Sequence, residues 1–133
     1  MVITGYYAQL KKYQEKGLEL INIARYKPQW LTIDIKSYSD LFPTDKMLSD
    51  YKETNNVDLY IYNYMSEILN KLDPAKVYKD LDNKIILCYE KPTDFCHRHL
   101  VSIWLNNNGY IAREFNVSNL QHQPTWGYSW SNE

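Results

Sequence analysis

The sequence predicts an α/β fold in which helices flank a mainly parallel central sheet. Residues 85–89 form a short, continuous apolar run, as expected of a strand that is covered on both faces. Apolar residues then recur at helical spacing over 97–107, and residues 110–115 again have the composition of a strand. A strand, a helix and a second strand in this order usually place the two strands parallel in one sheet.

The first part of the chain predicts further strands and a short helix. Apolar residues indicate strands at 2–6 and 18–23, separated by a helix or long turn that Gly17 closes. Apolar residues alternate over 31–35, which predicts a short or edge strand, and Pro43 ends any regular element there.

Helices are predicted over 46–54 and 58–72, and Asp73 and Pro74 then open a short helix as its N-cap and first residue. The second of these helices has a broad apolar face, which core packing explains better than a ligand. The face comprises Leu59, Tyr62, Met65, Ile68, Leu69 and Leu72.

Length and composition predict one domain. The 133 residues are 44% hydrophobic, enough for a single core, which we place at 1–117. Residues 118–133 form an aromatic tail with Trp126, Tyr128 and Trp130, which either folds over the core or is a partner-binding extension.

The charge balance and hydropathy restrict the partners. With 15 basic and 16 acidic residues, the chain lacks the basic surface of a general nucleic-acid binder, although a local basic pocket is compatible with it. No apolar stretch approaches the roughly 20 residues that span a bilayer, so we expect a cytoplasmic protein without membrane contact. Its oligomeric state cannot be read from the sequence.

The candidate site lies where the 85–89 strand leads into the helix at 97–107. Arg98, in the first helical turn, would bind a phosphate or carboxylate together with backbone N–H groups. Arg25, at the end of a neighbouring strand, would complete the pocket, because open sheets bind ligands beyond their carboxyl ends. The alternative for Arg98 is a salt bridge to Glu90 or Asp94.

Cys96, His97 and Glu90 are the candidate catalytic residues. A helix N-terminus and basic neighbours lower the pKa of a thiol such as that of Cys96, which favours the nucleophilic thiolate. His99, three residues on, would be its base, whereas His97 is turned away by one position. Glu90 would act as a general base or as a nucleophile. The alternative is a Cys96 that packs in the core.

The sequence predicts no metal and no cofactor. Cys88, Cys96, His97 and His99 are suitable zinc ligands, but their spacing matches none of the usual paired-ligand patterns. A Cys88–Cys96 disulfide is not expected, because two cysteines are too few for a disulfide scaffold and a cytosolic setting keeps thiols reduced.

The chain resembles the family called domain of unknown function 488. The resemblance rests on residues 87–92 and 95–101, above all on the sequence Cys96-His97-Arg98, with further agreement around Arg25 and Trp30. It implies a compact, three-layer, Rossmann-like fold with a pocket at the carboxyl ends of the strands. It also implies a role in nucleotide or nucleic-acid metabolism or in phage–host conflict. Where this chain has His99, the family pattern often has serine.

Three functions are compatible with these residues. The first is an enzyme, a hydrolase or transferase, that acts on a nucleotide or another phosphorylated small molecule. The second is a non-catalytic module that senses a nucleotide or a modified nucleic-acid end, with Tyr6, Trp30 or the rings of the tail stacking on a base. The third is a protein-interaction module that uses the aromatic tail.

Overall fold

The computed structural model describes residues 1–90 and 95–115. Five strands form one parallel sheet in the order β3-β2-β4-β1-β5. They are β1 (Val2–Tyr6), β2 (Glu19–Asn22), β3 (Lys36–Ser37), β4 (Lys84–Cys88) and β5 (Ala112–Glu114). The predictions for Asp94 and for the 118–133 tail concern residues outside this description.

Helices cover both faces of the sheet, so the predicted α/β class with three layers is confirmed. The helices are α1 (Leu10–Glu15), α2 (Asp45–Thr54), α3 (Val57–Glu67), α4 (Pro74–Leu81) and α5 (His97–Asn107). The Asp73 carboxylate accepts a hydrogen bond from the backbone N–H of Ala75 at 3.0 Å, as an N-cap does. At the end of α5, Gly109 takes a φ of +86°, which glycine adopts without steric cost.

The two faces of the sheet have cores of different size. Because side chains alternate along a strand, β4 sends Ile86 into a large core with α3, α4 and α5, and Ile85 and Leu87 into a smaller core on the α1 side. All three residues are fully buried, as the apolar run at 85–89 predicts. None of the helices in the described residues is both long enough and apolar enough to cross a membrane.

One local prediction is wrong, and a second is only partly right. The edge strand is not at 31–35 but at β3, whose two exposed residues Lys36 and Ser37 pair with Ile21 and Asn22. A strand with one neighbour and no covered face does not need apolar residues, so hydrophobic alternation cannot locate it.

The apolar face predicted over 58–72 is only partly right. Leu69 is buried, and Met65, Ile68 and Leu72 pack against the large core. Tyr62, however, is 68% exposed and Leu59 is 40% exposed. Within α3, Tyr60, Ile61 and Tyr64 are the buried residues. The Tyr64 hydroxyl donates to the carbonyl oxygen of Leu41 at 2.6 Å, so a tyrosine here is a core residue with its polar end satisfied. The helix ends at Glu67 and continues as a 3₁₀ turn over Leu69–Lys71.

Candidate functional site

The first turn of α5 lies where β1, β2 and β4 end. Cys96 is the N-cap residue and has an extended backbone, with φ −154° and ψ 145°, and the helix begins at His97. Cys96, His97, Arg98 and His99 are all buried. Consecutive side chains of this turn enter different environments, and these environments decide what each residue can do.

A cavity of about 150 Å³ opens beside this turn, at the carboxyl ends of β2 and β4. Four of the residues predicted for the site line it: Arg25, Glu90, Cys96 and His97. The other lining residues are Ala24, Tyr26, Pro43, Leu48, Tyr51, Tyr60, Cys88, Tyr89 and Phe95.

Arg25 is held at the cavity by the loop that follows β2. The Asn22 side chain fixes the start of this loop, since its Nδ2 donates to the carbonyl oxygen of Ala24 at 2.7 Å and its Oδ1 accepts from the Ala24 N–H at 3.2 Å. Arg25 Nε donates to the carbonyl oxygen of Pro43 at 2.7 Å. The side chain is exposed, so its remaining N–H donors are available to a ligand.

Aromatic rings form much of the cavity wall. Phe95 lies 5.0 Å from Tyr60 and 5.6 Å from Tyr51, measured between ring centroids. On the other side, the Tyr89 hydroxyl donates to the backbone carbonyl of Tyr26, which ties the end of β4 to the Arg25 loop. Burial raises the pKa of Tyr60 and Tyr89, so both phenols are neutral at pH 7. The wall therefore suits a flat, apolar group.

Arg98 does not line the cavity, which corrects the expectation that it binds substrate. Its side chain is fully buried, and Nε and Nη2 donate to the two carboxylate oxygens of Glu114 at 3.1 and 2.9 Å. Glu90, one of the two partners expected from the sequence, is not this partner. Thr4 also donates to Glu114, at 2.5 Å, and the guanidinium lies 5.6 Å from the centroid of the Tyr6 ring. Arg98 joins α5 to β5 and β1.

His97, not His99, is the histidine next to Cys96. Its Nδ1 lies 3.9 Å from Cys96 Sγ, and its Nε2 lies 2.7 Å from the carbonyl oxygen of Ile23. His99 is buried and is not among the residues that line the cavity. The expected pairing assumed helical spacing from Cys96 onward, but the extended backbone of an N-cap residue sends its side chain elsewhere.

Both histidines are neutral at pH 7. Burial, opposed by the Ile23 carbonyl, lowers the pKa of His97 to about 4. Burial, together with the positive charge of Arg98, lowers the pKa of His99 to about 2. Neither imidazole carries a charge that would attract an anion.

Cys88 and Cys96 are joined by a disulfide, contrary to the expectation. The eight-residue separation is short enough for the end of β4 and the start of α5 to meet, which a count of two cysteines does not reveal. While this bond is present, Cys96 has no thiol, so a nucleophilic role requires its reduction.

Tyr6 and Trp30, the predicted stacking residues, lie outside the cavity wall. Tyr6 packs against Arg98, as described above. Trp30 is 60% exposed, and its ring meets that of Tyr7 edge-on at 6.2 Å.

Sequence reasoning missed Glu114 and the aromatic wall. Glu114 carried a usable signal, because it alternates with Arg113 and so shares a face with buried Ala112 in β5. A carboxylate on the buried face of a strand needs a cationic partner.

Comparison of the chain with family models, curated proteins and solved structures finds no match.

Proposed function

We propose that the cavity binds a nucleotide or another phosphorylated small molecule and that the protein is an enzyme acting on this ligand. The observation that carries the proposal is the combination, in one cavity at the carboxyl ends of parallel strands, of an aromatic wall with Arg25 and Glu90. Ligands of open α/β sheets bind at this edge.

The aromatic wall supports a ligand with a planar ring. Tyr26, Tyr51, Tyr60, Tyr89 and Phe95 line the cavity. Stacking of a base on such rings contributes about 1–3 kcal/mol per base, and it does not depend strongly on which base is bound.

Arg25 supports a negatively charged ligand. Within the described part of the chain, it is the one positively charged residue lining the cavity, since His97 is neutral at pH 7. A guanidinium matches the geometry of two phosphate oxygens, and one bond to the Pro43 carbonyl uses only one of its five donors.

Glu90 would transfer the proton in the reaction. Its side chain is exposed and lines the same cavity, so its carboxylate can reach a bound ligand. Cys96 would act as a nucleophile only in the reduced protein.

A sensing module that binds without turnover is the second candidate, and exposed rings favour it. Tyr26 and Trp30 are each 60% exposed, and Tyr89 is 44% exposed. These rings offer a stacking surface to further bases of a nucleic-acid end.

The parallel sheet and the cavity position agree with what the resemblance to domain of unknown function 488 implies. Membership of that family remains a prediction that rests on Cys96-His97-Arg98 and the surrounding residues.

The binding proposal is tested with nucleoside monophosphates and the matching nucleosides, by calorimetric titration of wild type and Arg25→Ala. Loss of a charge-assisted hydrogen bond costs about 1.5–3 kcal/mol, so the variant should bind the monophosphate at least roughly tenfold more weakly. The nucleoside, which has no phosphate, should bind both proteins equally.

Lys11→Ala, an exposed cation on α1, is the matched control and should leave both affinities unchanged. If Arg25→Ala weakens both ligands alike, or neither, Arg25 is not the phosphate ligand.

Turnover separates the enzyme from the sensor. For any monophosphate that binds, Glu90→Gln should abolish product formation and keep the affinity within about threefold. Two results together would support the sensing module instead. The wild type would bind a monophosphate and form no product. It would also bind a short oligonucleotide tenfold more tightly than the monophosphate, and Trp30→Ala would remove this gain in affinity.

A further inference from the structure

Three side chains that can bind a metal ion lie close together in the wall of the cavity. Cys88 ends β4, Cys96 caps α5 and His97 begins it. Their two sulfur atoms and one imidazole nitrogen all lie within 4.8 Å of one another, and all three residues are buried. Around a tetrahedral zinc ion, with ligand distances of about 2.0–2.3 Å, neighbouring ligand atoms are roughly 3.3–3.8 Å apart.

The orientation of His97 already suits a metal ligand. Nε2 lies 2.7 Å from the carbonyl oxygen of Ile23, which can only accept a hydrogen bond, so Nε2 carries the proton. Nδ1 then has the free lone pair, and it lies 3.9 Å from Cys96 Sγ. Metal-binding histidines usually donate their other N–H to a carbonyl or carboxylate in this way.

The surroundings also favour thiolates over thiols. Arg98 Nη1 donates to Cys88 Sγ at 3.3 Å, and this arginine is fixed by its ion pair with Glu114. Cys96 lies at the N-terminus of the eleven-residue helix α5, where the helix dipole stabilises negative charge.

The Cα separation of the two cysteines is wider than in most disulfides, which favours two sulfurs held apart once the bond is reduced. The Cα atoms of Cys88 and Cys96 lie 7.1 Å apart, whereas disulfide-linked residues usually have Cα separations of 4.4–6.8 Å. Reduction adds two electrons and two protons to the S–S bond and gives two thiols. A thiol or phosphine reductant supplies the electrons.

We propose that Cys88, Cys96 and His97 of the reduced protein bind one Zn²⁺ ion, whose fourth coordination position faces the cavity. Each thiol loses its proton as its Zn–S bond forms, and neutral His97 gives its Nδ1 lone pair. Two thiolates and an imidazole form a known set of catalytic zinc ligands, which leaves one position for water or substrate. Zinc binding does not require that the cavity bind a nucleotide, but a Cys96 that holds zinc would be a ligand and not the nucleophile.

The test uses the full-length protein, reduced with a phosphine, freed of metal and kept without oxygen. It is titrated with Zn²⁺ against a chromophoric chelator, and with Co²⁺ as a spectroscopic probe. We expect one metal ion per chain and the thiolate-to-cobalt absorption of a tetrahedral site. The protein with an intact disulfide should bind neither ion.

Single substitutions identify the ligands. Loss of a residue that only supports a ligand already costs 10–100-fold in metal affinity, so Cys88→Ser, Cys96→Ser and His97→Asn should each cost at least roughly 100-fold. His122→Asn is the matched control, because it removes a histidine of the tail, and it should bind zinc as the wild type does.

Two results would overturn the proposal. One is that the reduced wild type binds no zinc in competition with the chelator, although its circular dichroism spectrum shows that it is folded. The other is zinc binding that survives Cys88→Ser and Cys96→Ser, or that His122→Asn removes. Should His97→Asn fail to fold, the two serine variants and the cobalt spectrum still decide the outcome.

Discussion

Arg98 and Arg25 both lie at the end of the sheet where β1, β2 and β4 finish, yet they belong to regions of opposite character. Arg98 is fully buried, and Glu114 neutralises it. Arg25 is exposed, lines the cavity and donates to one backbone carbonyl. The sequence predicts the same anion-binding role for both. The difference shows that such an arginine is available to a ligand only where no buried carboxylate occupies its donors.

Sheet topology separates the two regions. The pairing of β1 with β5 places Glu114 beside Thr4, underneath the first turn of α5, where a buried guanidinium needs a counter-charge. On the other side, β2 and β4 diverge into loops, and the cavity opens between them. We call the buried surroundings of Arg98 and Glu114 the sealed region, and the cavity beside Arg25 the open region. One turn of α5 thus supplies Arg98 to the sealed region and His97 to the open region.

The largest expected effect is in the sealed region. Glu114→Gln should lower the free energy of unfolding by about 3–5 kcal/mol, because it leaves the Arg98 guanidinium buried without a counter-charge. Chemical denaturation followed by circular dichroism measures the change. The double variant Arg98→Met with Glu114→Leu removes both charges and should recover most of the loss.

A Glu114→Gln protein within 1 kcal/mol of the wild type would show that Arg98 does not depend on this pair. If the single variant does not fold, recovery of a folded protein in the double variant tests the same point.

The next effect is the pH dependence of stability, which compares His97, beside the cavity, with His99, outside it. Both histidines have a folded-state pKa, about 4 and about 2, below the unfolded value of about 6.5. Between these values the unfolded chain binds protons that the folded chain does not, so acid destabilises the protein. From pH 7.5 to 5.5, the disulfide form should lose about 1.3 kcal/mol per histidine, about 2.6 kcal/mol together.

Denaturation at the two pH values measures this loss, and imidazole titration by nuclear magnetic resonance assigns it. His97 should protonate at a higher pH than His99. A folded-state pKa near 6.5 for either ring would contradict its burial.

The elements that sequence predicts well depend on local signals. Asp73 and Pro74 mark the start of α4, and Gly109 closes the end of α5, because caps and turns need particular backbone angles or donors. The apolar run of β4 predicts burial on both faces correctly. The place of the candidate cavity follows a local pattern too, because a strand end, a polar turn and a helix start succeed one another in the sequence, and Glu90, Cys96 and His97 of this segment line the cavity.

The partners within the site depend on long-range register, which local patterns do not contain. Glu114 reaches Thr4 across 110 positions of the chain. Whether His97 or His99 meets Cys96 depends on the backbone of one N-cap residue. The edge strand β3 was missed for a related reason, as its pairing with β2 needs backbone groups and no particular side chains.

A smaller effect follows from the hydroxyl that completes the sealed network. Thr4→Val keeps the shape of the side chain and removes its hydrogen bond to Glu114, which should cost about 1.5 kcal/mol, the lower end for a bond to a charged group. Thr54→Val is the control. The exposed Thr54 hydroxyl donates to the Asp50 carbonyl and accepts from the Asn56 N–H, and water can replace both bonds, so the substitution should change stability by less than about 0.5 kcal/mol. Equal effects of the two substitutions would mean that the Glu114 network is not sealed from water.

The smallest effect on stability is expected at the arginine of the open region. Arg25→Ala removes one hydrogen bond to a carbonyl from an exposed side chain, so it should cost about 1 kcal/mol or less in denaturation. Arg98→Ala, which leaves Glu114 buried and unpaired, should cost about 3–5 kcal/mol in the same measurement. If the two substitutions cost the same, Arg25 is a structural residue like Arg98 and its donors are not free for a phosphate. If only Arg98→Ala lowers the free energy of unfolding, a loss of ligand binding in Arg25→Ala is an effect on the cavity and not on folding.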